Sequence, residues 1–318
     1  MSELTRAVAI IIERCLGVRR GEDALVVADG GTRMIGEALR AAAAERGADV
    51  LLAIMDERAT DGAEPPASIA AALAACDLYI AATTRSLSHT MARKRATDAG
   101  VRGATMPGVT PEMLARAMAV DFEKMAARSN AIAELLTEGK AARLTCPRGT
   151  EATFDLSGRS GIPDDGNLRN PGAFGNLPCG EAFIAPLDGE GRVVASSFAR
   201  LGVSAEPATL SVRDGRLVSA EGGTGLEYLR LLEAHGARGT NLAELGVGTN
   251  DRARLTGNVL EDEKILGTVH VAFGASAAIG GTVSVPIHLD AVVSEASLTI
   301  DGVVALQAGR LVLNTPDP

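Results

Sequence analysis

The sequence predicts an α/β fold in two parts: an N-terminal doubly wound parallel-sheet domain and a β-rich C-terminal α+β domain. Two observations carry this prediction. Helical and strand patterns alternate over the first 140 residues, which is typical of a parallel sheet flanked by helices. After that point short strand-like runs and Asp-Gly turns dominate. Hydrophobic residues make up 46% of the 318 residues, which is enough to build a core in each part.

The N-terminal region, residues 1–140, is expected to be a Rossmann-like α/β domain. Residues 24–29, ALVVAD, form a short apolar run that ends at Gly-Gly-Thr, which indicates a buried strand. Residues 33–47 have helical spacing and end at Gly47, a residue type that commonly follows a helix. The run DFEKMAARSNAIAELLTEG predicts a long helix that closes the domain.

The C-terminal region, residues 141–318, is expected to be the β-rich domain. The Asp-Gly pairs at 214–215 and 301–302 lie between strand-like runs, and each predicts a hairpin. One helical pattern, at 224–236, interrupts the strands. The two Asp-Gly turns favour antiparallel pairing in this half.

Composition restricts the possible partners. The net charge is −9 and the pI is about 5.1, which disfavours nucleic acid and anionic membranes. No apolar run approaches the roughly 20 residues needed to span a bilayer, and the N-terminus lacks a signal-peptide pattern. The cysteines are irregularly spaced, which indicates reduced thiols. We therefore expect a cytoplasmic protein without a nucleic-acid or membrane partner. The cysteines are Cys15, Cys76, Cys146 and Cys179.

Histidine placement is the strongest functional signal. The chain has four histidines, and His270 and His288 both fall in residues 267–292. Asp290 follows His288 at i+2, so the two side chains share one face of a strand. A core histidine bonded to its neighbouring carboxylate explains this pair equally well. The second histidine on an adjacent strand favours a site for a divalent first-row metal.

Isolated acids extend this metal-binding hypothesis. Glu181 and Glu244 each stand in an apolar or glycine-rich run, where burial is costly unless the carboxylate is paired or metal-bound. The acidic run at 261–263, followed by Lys264, is interpreted instead as a solvated, helix-capping segment.

His89 is a further candidate, because it follows a predicted parallel strand at the end where ligands bind in doubly wound sheets. Its neighbours Arg85, Arg93, Lys94 and Arg95 form the most basic segment of the chain. The functional interpretation is a substrate-facing group, and the alternative is a solvated helix start. His235 precedes Gly236 at a helix end, where a capping role is expected. No dinucleotide fingerprint or P-loop is present, so no nucleotide cofactor is expected, and no GxSxG elbow indicates a serine nucleophile.

Four segments, NLPCGEAFIAP, AELGVGTN, EDEKILGTVHVAFG and VPIHLDAV, resemble the motifs of the thermophilic metallo-aminopeptidases of the aminopeptidase T and aminopeptidase S type, in the same order. This resemblance implies a two-domain dimer with two adjacent divalent metals. It also implies a tyrosine shortly after the first histidine motif, where this chain has Ala277. By motif, the implied ligands are Glu181, Glu244, His270, His288 and Asp290.

The same fold and motifs also resemble 2,5-dihydroxypyridine 5,6-dioxygenase. That resemblance implies one Fe²⁺ held by His270, His288 and Asp290, with Glu181 and His89 facing the substrate. Two histidines and one carboxylate form the facial triad of such iron enzymes.

Three functional classes follow from these observations. The first expectation is an aminopeptidase-like hydrolase that removes N-terminal residues from small peptides. It would use zinc, cobalt or manganese, one ion or two, with Glu181 or Glu244 taking the proton of a metal-bound water. The alternative is the Fe²⁺ ring-cleaving dioxygenase, with His89 as a base. The third is a non-enzymatic protein, either a metal-stabilised dimer or a small-molecule binder. The expected partners are a small molecule or short peptide and a second copy of the chain.

Overall fold

The computed structural model describes residues 2–313. A π-helical turn, Ile11–Cys15, continues the first helix. The α-helices are α1 (Glu3–Ile10), α2 (Arg33–Glu45), α3 (Ala67–Leu73), α4 (Met91–Asp98), α5 (Pro111–Ala117), α6 (Phe122–Glu138), α7 (Gly223–Glu233) and α8 (Val259–Asp262).

The strands run along the whole chain and alternate with helices only in its first part. They are β1 (Asp23–Asp29), β2 (Asp49–Met55), β3 (Leu78–Ala82), β4 (Arg102–Thr105), β5 (Ala141–Thr145), β6 (Glu151–Asp155), β7 (Ile162–Asp164), β8 (Phe174–Asn176), β9 (Glu181–Ile184), β10 (Asp188–Phe198), β11 (Gly202–Arg213), β12 (Arg216–Glu221), β13 (Leu242–Gly248), β14 (Val269–Gly274), β15 (His288–Val293), β16 (Ser297–Ile300), β17 (Val303–Gln307) and β18 (Arg310–Leu311).

The chain divides into two compact units. The first unit comprises residues 1–120 and 166–179, and the second comprises 121–165 and 180–318. The sequence-based boundary near residue 140 differs from this division in two respects. Helix α6 packs on strands β7 and β9 and so lies in the second unit, and residues 166–179 return to the first.

The first unit contains a five-stranded parallel sheet with the order β2-β1-β3-β4-β8, as predicted for the N-terminal α/β domain. β1 and β3 are buried at almost every position, as strands covered on both faces require. Tyr79 on β3 lies over Gly103 on β4, where an added Cβ would stand 2.4 Å from the ring. Strand β8 is a short addition that was not predicted from the sequence. Helix α5 was not predicted either.

The second unit is an antiparallel sheet ordered β18-β17-β16-β5-β6-β10-β15-β14-β13-β9-β7, with β11 and β12 attached through β10. Both predicted Asp-Gly turns are present. Asp214 and Gly215 have φ of 49° and 63°, and Asp301 and Gly302 have φ of 45° and 85°. These positive angles are those of a type I′ hairpin turn, which explains the Asp-Gly pairs. The β-rich prediction is therefore confirmed.

The helices of residues 2–313 were compared with the length and apolar character of a membrane-spanning helix. Among these residues, no helix combines the length and the apolar character needed to cross a membrane.

Candidate metal centre

Four neighbouring strands of the second unit carry the predicted site. In the sheet order β15-β14-β13-β9, Asp290 pairs with Ala272, Ala272 pairs with Glu244, and His288 pairs with Gly274. Paired residues point to the same face of a sheet, and so do residues two apart on one strand. The register therefore places the side chains of all five predicted ligands on a single face.

The opposite face of the same strands packs into the hydrophobic core. Leu245, Val271, Phe273, Leu289 and Ala291 belong to that core and are buried. The alternation of ligand and core residues fixes the register, because a shift of one residue would turn the ligands into the core.

Small residues leave room for the ligands on the polar face. Gly246 lies opposite His270, and a Cβ on Gly246 would stand 2.0 Å from His270 Nε2. Ala272 separates Glu244 from Asp290 in the ladder. The glycine-rich sequence around Glu244, LAELGVG, therefore has a steric reason. The imidazole ring of His270 lies directly over the backbone of Gly246.

Glu244 lies between the two histidines. Its Oε1 is 3.1 Å from His270 Nε2, and its Oε2 is 3.3 Å from His288 Nε2. Glu244 is buried, with 6% of its surface exposed. Burial favours the neutral form of this carboxyl, but the hydrogen bonds and charges of the two histidines lower its pKa well below the usual range.

His288 is held by a backbone contact on its other nitrogen. Its Nδ1 is 2.7 Å from the carbonyl oxygen of Ala275, which accepts a hydrogen bond from Nδ1–H. This bond directs Nε2 toward Glu244 and toward Asp290, whose Oδ1 is 3.5 Å away. A backbone carbonyl that fixes the second nitrogen is the usual support of a metal-binding histidine.

Glu181 approaches the site from strand β9. Its Oε2 is 3.4 Å from His270 Nε2, and this oxygen is buried without a hydrogen-bond partner. Its Oε1 accepts a hydrogen bond from Lys264 Nζ at 2.6 Å. Lys264 is fully buried and also contacts the carboxylate of Glu263.

The acidic run before Lys264 is buried, so its interpretation as a solvated segment is wrong. Each carboxylate has a defined partner within the fold. Glu261 accepts from the backbone N–H of Arg254, and Asp262 accepts from the hydroxyl of Ser197 and the N–H of Thr256. Glu261 and Asp262 are the last two residues of the short helix α8, whose start is capped by Asn258. Sequence reasoning missed Lys264, and the only available signal was a lysine next to the HVAFG strand.

The electrostatics of the cluster favour a bound cation. Burial alone would lower the pKa of His270, but the hydrogen bond to Glu244 and the charge of Glu181 raise it to about 9. Burial raises the pKa of Glu263 to about 8, although Lys264 opposes this effect. Without a metal, the raised pKa values of His270 and His288 favour their protonated forms. A divalent ion can replace those protons.

The donor atoms can hold a divalent ion. There are two groups of three ligand atoms, and within each group the atoms lie within 4.8 Å of one another. Glu244 belongs to both groups. The donors are imidazole nitrogens and carboxylate oxygens, which suit zinc, iron, manganese or cobalt. The orphaned Oε2 of Glu181 is a buried acceptor that such an ion would satisfy. The first group is Glu181, Glu244 and His270, and the second is Glu244, His288 and Asp290.

His89 lies in the first unit, whereas the five predicted ligands lie in the second. It is exposed and directly precedes Thr90, whose side chain caps α4. The basic segment around it is largely paired within the first unit. Arg93 is buried, donates to the carbonyl of Ser88 and lies 4.1 Å from the Phe174 ring centroid. Lys94 pairs with Asp98 at 2.6 Å, so this segment has a clear structural role.

Ala277 is exposed at the start of a short 3₁₀ turn that follows β14. The tyrosine of the second unit, Tyr228, donates its hydroxyl to the carbonyl of Leu289 at 2.6 Å and is fully buried. This hydroxyl supports strand β15 and is already committed. It does not take the place of the aminopeptidase tyrosine.

Comparison with known proteins shows the family to which this chain belongs. The sequence model of the NicX family, 2,5-dihydroxypyridine 5,6-dioxygenase, matches residues 3–313. The chain belongs to the NicX family. No curated protein matches the sequence.

Solved structures share the fold of this NicX-family chain. The 2,5-dihydroxypyridine dioxygenase from Pseudomonas putida KT2440 aligns with a TM-score of 0.83 at 20% identity, covering 99% of each chain. Wild-type AmpT from Thermus thermophilus aligns with a TM-score of 0.71 at 20% identity, covering 98% of this chain and 99% of its own. Both resemblances noted in the sequence are therefore confirmed. At this identity the structural likeness establishes the fold.

Proposed function

We propose that this protein is a mononuclear Fe²⁺ dioxygenase that opens the ring of a dihydroxypyridine-type substrate. One observation carries the proposal: a NicX-family chain presents two imidazoles and an aspartate on neighbouring strands, on one face of the sheet. His270, His288 and Asp290 supply the donor types of a facial triad. In the structure Glu244 lies between the two imidazoles and belongs to the ligand group of each. The assignment as a dioxygenase reverses the order of preference that the motifs alone suggested.

In this proposal each nearby residue has a defined task. His270, His288 and Asp290 hold the iron, which when bound would bring O₂ and the ring hydroxyl together. Glu244 contacts Nε2 of both imidazoles, the nitrogens that the iron would take, so its carboxylate would lie beside the bound ion. Glu181 presents Oε2 beside His270, where it would face the iron and a substrate bound to it. His89 is assigned the role of a substrate base by the family resemblance.

Ala277 is compatible with this function. The aminopeptidase resemblance implies a tyrosine at that position, and the triad of the dioxygenase does not require one. A short side chain there leaves the turn after β14 free of a phenol that could compete with a dihydroxylated ring for hydrogen bonds.

The test uses the full chain purified without oxygen or chelators. We expect one equivalent of iron per chain after reconstitution, and O₂ uptake equal to the 2,5-dihydroxypyridine consumed. Asp290→Asn should abolish uptake, while His235→Gln, an exposed histidine outside the cluster, should leave it unchanged. A correctly folded, iron-loaded protein with no O₂ uptake on dihydroxylated pyridines would contradict the proposal.

A second candidate is a two-metal aminopeptidase-like hydrolase. The observation that favours it is the sharing of Glu244 by two groups of three ligand atoms, because a bridging carboxylate is typical of paired metals about 3.5–4 Å apart. The fold of AmpT is consistent with it. Close to two equivalents of zinc, cobalt or manganese, together with release of N-terminal residues from short peptides, would support this candidate over the dioxygenase.

The homodimer and the cytoplasmic location remain proposals. Light scattering of the purified chain would measure the oligomeric state. A monomer at micromolar concentration would exclude the stable dimer that the resemblance implies.

A further inference from the structure

Lys264 is a fully buried lysine whose ammonium lies between two carboxylates. Nζ is 2.6 Å from Glu181 Oε1 and also contacts Glu263, and both glutamates are buried. A lysine is almost never fully buried unless it is paired, so this arrangement is a fixed feature of the fold.

The contact leaves Glu181 with one free oxygen. Oε1 is occupied by Lys264, whereas Oε2 is buried, has no hydrogen-bond partner and lies 3.4 Å from His270 Nε2. A carboxylate on a strand can otherwise rotate about its side-chain torsions and present either oxygen or both. The ammonium removes that freedom.

The local fold holds the lysine in place. Lys264 follows α8, and its backbone N–H bonds the carbonyl of Glu261 at the end of that helix. Its own carbonyl accepts from the N–H of Asn250, beyond strand β13. One backbone contact therefore ties the lysine to α8, and the other ties it to the segment that follows the strand carrying Glu244.

We propose that Lys264 is a positioning residue that holds Glu181 by one oxygen and directs the other toward the metal beside His270. The inference rests on the metal site of the proposed function and does not depend on the oxygen chemistry. It assigns a role to the lysine of the EDEK run. Supports of this kind around metal ligands typically change metal affinity by 10–100-fold when they are removed.

The test is a double-mutant cycle with Mn²⁺ as the only added ligand. Lys264→Met should raise the dissociation constant for Mn²⁺ binding to the metal-free full chain by about tenfold or more. In the Glu181→Gln background the same change should have less than about a twofold effect, because the lysine acts through Glu181. Equal effects in the two backgrounds, or none in either, would overturn the proposal. So would a wild-type chain that does not bind Mn²⁺.

Glu263→Gln is the matched control within the same buried cluster. It keeps the size of the side chain and leaves the ammonium on Glu181. We expect it to change Mn²⁺ affinity by less than about threefold. A tenfold loss in this control would show that disruption of the cluster, and not the orientation of Glu181, controls metal binding.

A crystal structure of the Mn²⁺-loaded wild-type protein tests the proposal even if Lys264→Met does not fold. Oε1 of Glu181 is expected to remain hydrogen-bonded to Lys264, and only Oε2 is expected to face the Mn²⁺ ion. Bidentate binding by Glu181, or a Lys264 that has moved away, would overturn the inference. A protein that binds Mn²⁺ as expected but takes up no O₂ would remove the proposed function and leave this inference intact.

Discussion

Gly246 and His270 face each other across the β13–β14 ladder, and the imidazole of His270 occupies the space that a side chain at 246 would need. A Cβ at this position would lie 2.0 Å from Nε2 and 2.2 Å from Cε1. Since real Cβ contacts do not approach so closely, the histidine and the glycine depend on each other.

Gly246→Ala should therefore displace His270 and weaken metal binding. We expect the Mn²⁺ dissociation constant to rise by about tenfold or more, with the far-ultraviolet circular dichroism unchanged. Gly223→Ala is the control, because Gly223 begins α7 and a Cβ there meets no atom within 4 Å. It should leave binding unchanged and keep or slightly raise stability. Normal Mn²⁺ affinity in Gly246→Ala would show that His270 is not a ligand.

His288→Ala should abolish tight metal binding and leave the fold largely intact. His288 is partly exposed and lies at the start of β15. Its loss therefore removes the imidazole and its contacts with Glu244 and Asp290 without opening the core. Elemental analysis of the purified variant measures the effect. His235→Ala, at an exposed helix end, should retain the wild-type metal content. Retention of metal by His288→Ala as well would move the site away from this strand.

The metal-free protein should become less stable as pH rises from about 6.5 to about 9. The folded pKa of His270 is raised to about 9 from its ordinary 6.5, so above pH 6.5 the folded state binds more protons than the unfolded state. Its stabilising contribution is fully present below pH 6.5 and is lost as pH passes the folded pKa. The full loss is about 3 kcal/mol for a shift of this size.

Urea unfolding of chelator-treated protein at pH 6, 7, 8 and 9 measures this dependence. The raised pKa of Glu263, about 8, acts in the same direction, because the folded state retains a proton that the unfolded state has released. Saturating Mn²⁺ should reduce or reverse the decline, since the ion replaces the bound protons. Stability that rises with pH in the metal-free protein would contradict the assigned proton balance.

Tyr228→Phe should destabilise the second unit by about 1 kcal/mol. The hydroxyl donates to the carbonyl of Leu289, which lies between His288 and Asp290 on β15. Its ring also packs edge-on against Phe198, 5.2 Å away between centroids, and this contact survives in the variant. Chemical denaturation measures the change, and an unchanged midpoint would show that the hydroxyl bond contributes nothing to strand β15.

Much of the site could be predicted because its residues are unusual in their local sequence. A histidine two residues before an aspartate predicts a shared face on a strand, and β15 places them so. The isolated acids Glu181 and Glu244 stood out in apolar runs, and both are buried beside His270. Local periodicity and the cost of burying a charge were sufficient for these residues.

Other features could not be predicted from local pattern. The run at 261–264 has the composition of a solvated helix start, yet its side chains are buried, and Asp262 and Lys264 bond the distant residues Ser197 and Glu181. Likewise, residues 174–176 form a strand only because β4 offers a free edge. Short polar segments carry little periodic signal, so their structure depends on what they contact.

Sequence patterns were sufficient to predict the two-part α/β and β-rich organisation, the Asp-Gly hairpins and the types of ligand available to a metal. Those properties follow from periodicity, turn stereochemistry and the donor atoms of single side chains. Only the tertiary structure decided that Gly246 makes room for His270 and that Lys264 holds Glu181 by one oxygen. Both relationships join residues from different strands or loops, and strand register, set by packing of the opposite face, brings them together.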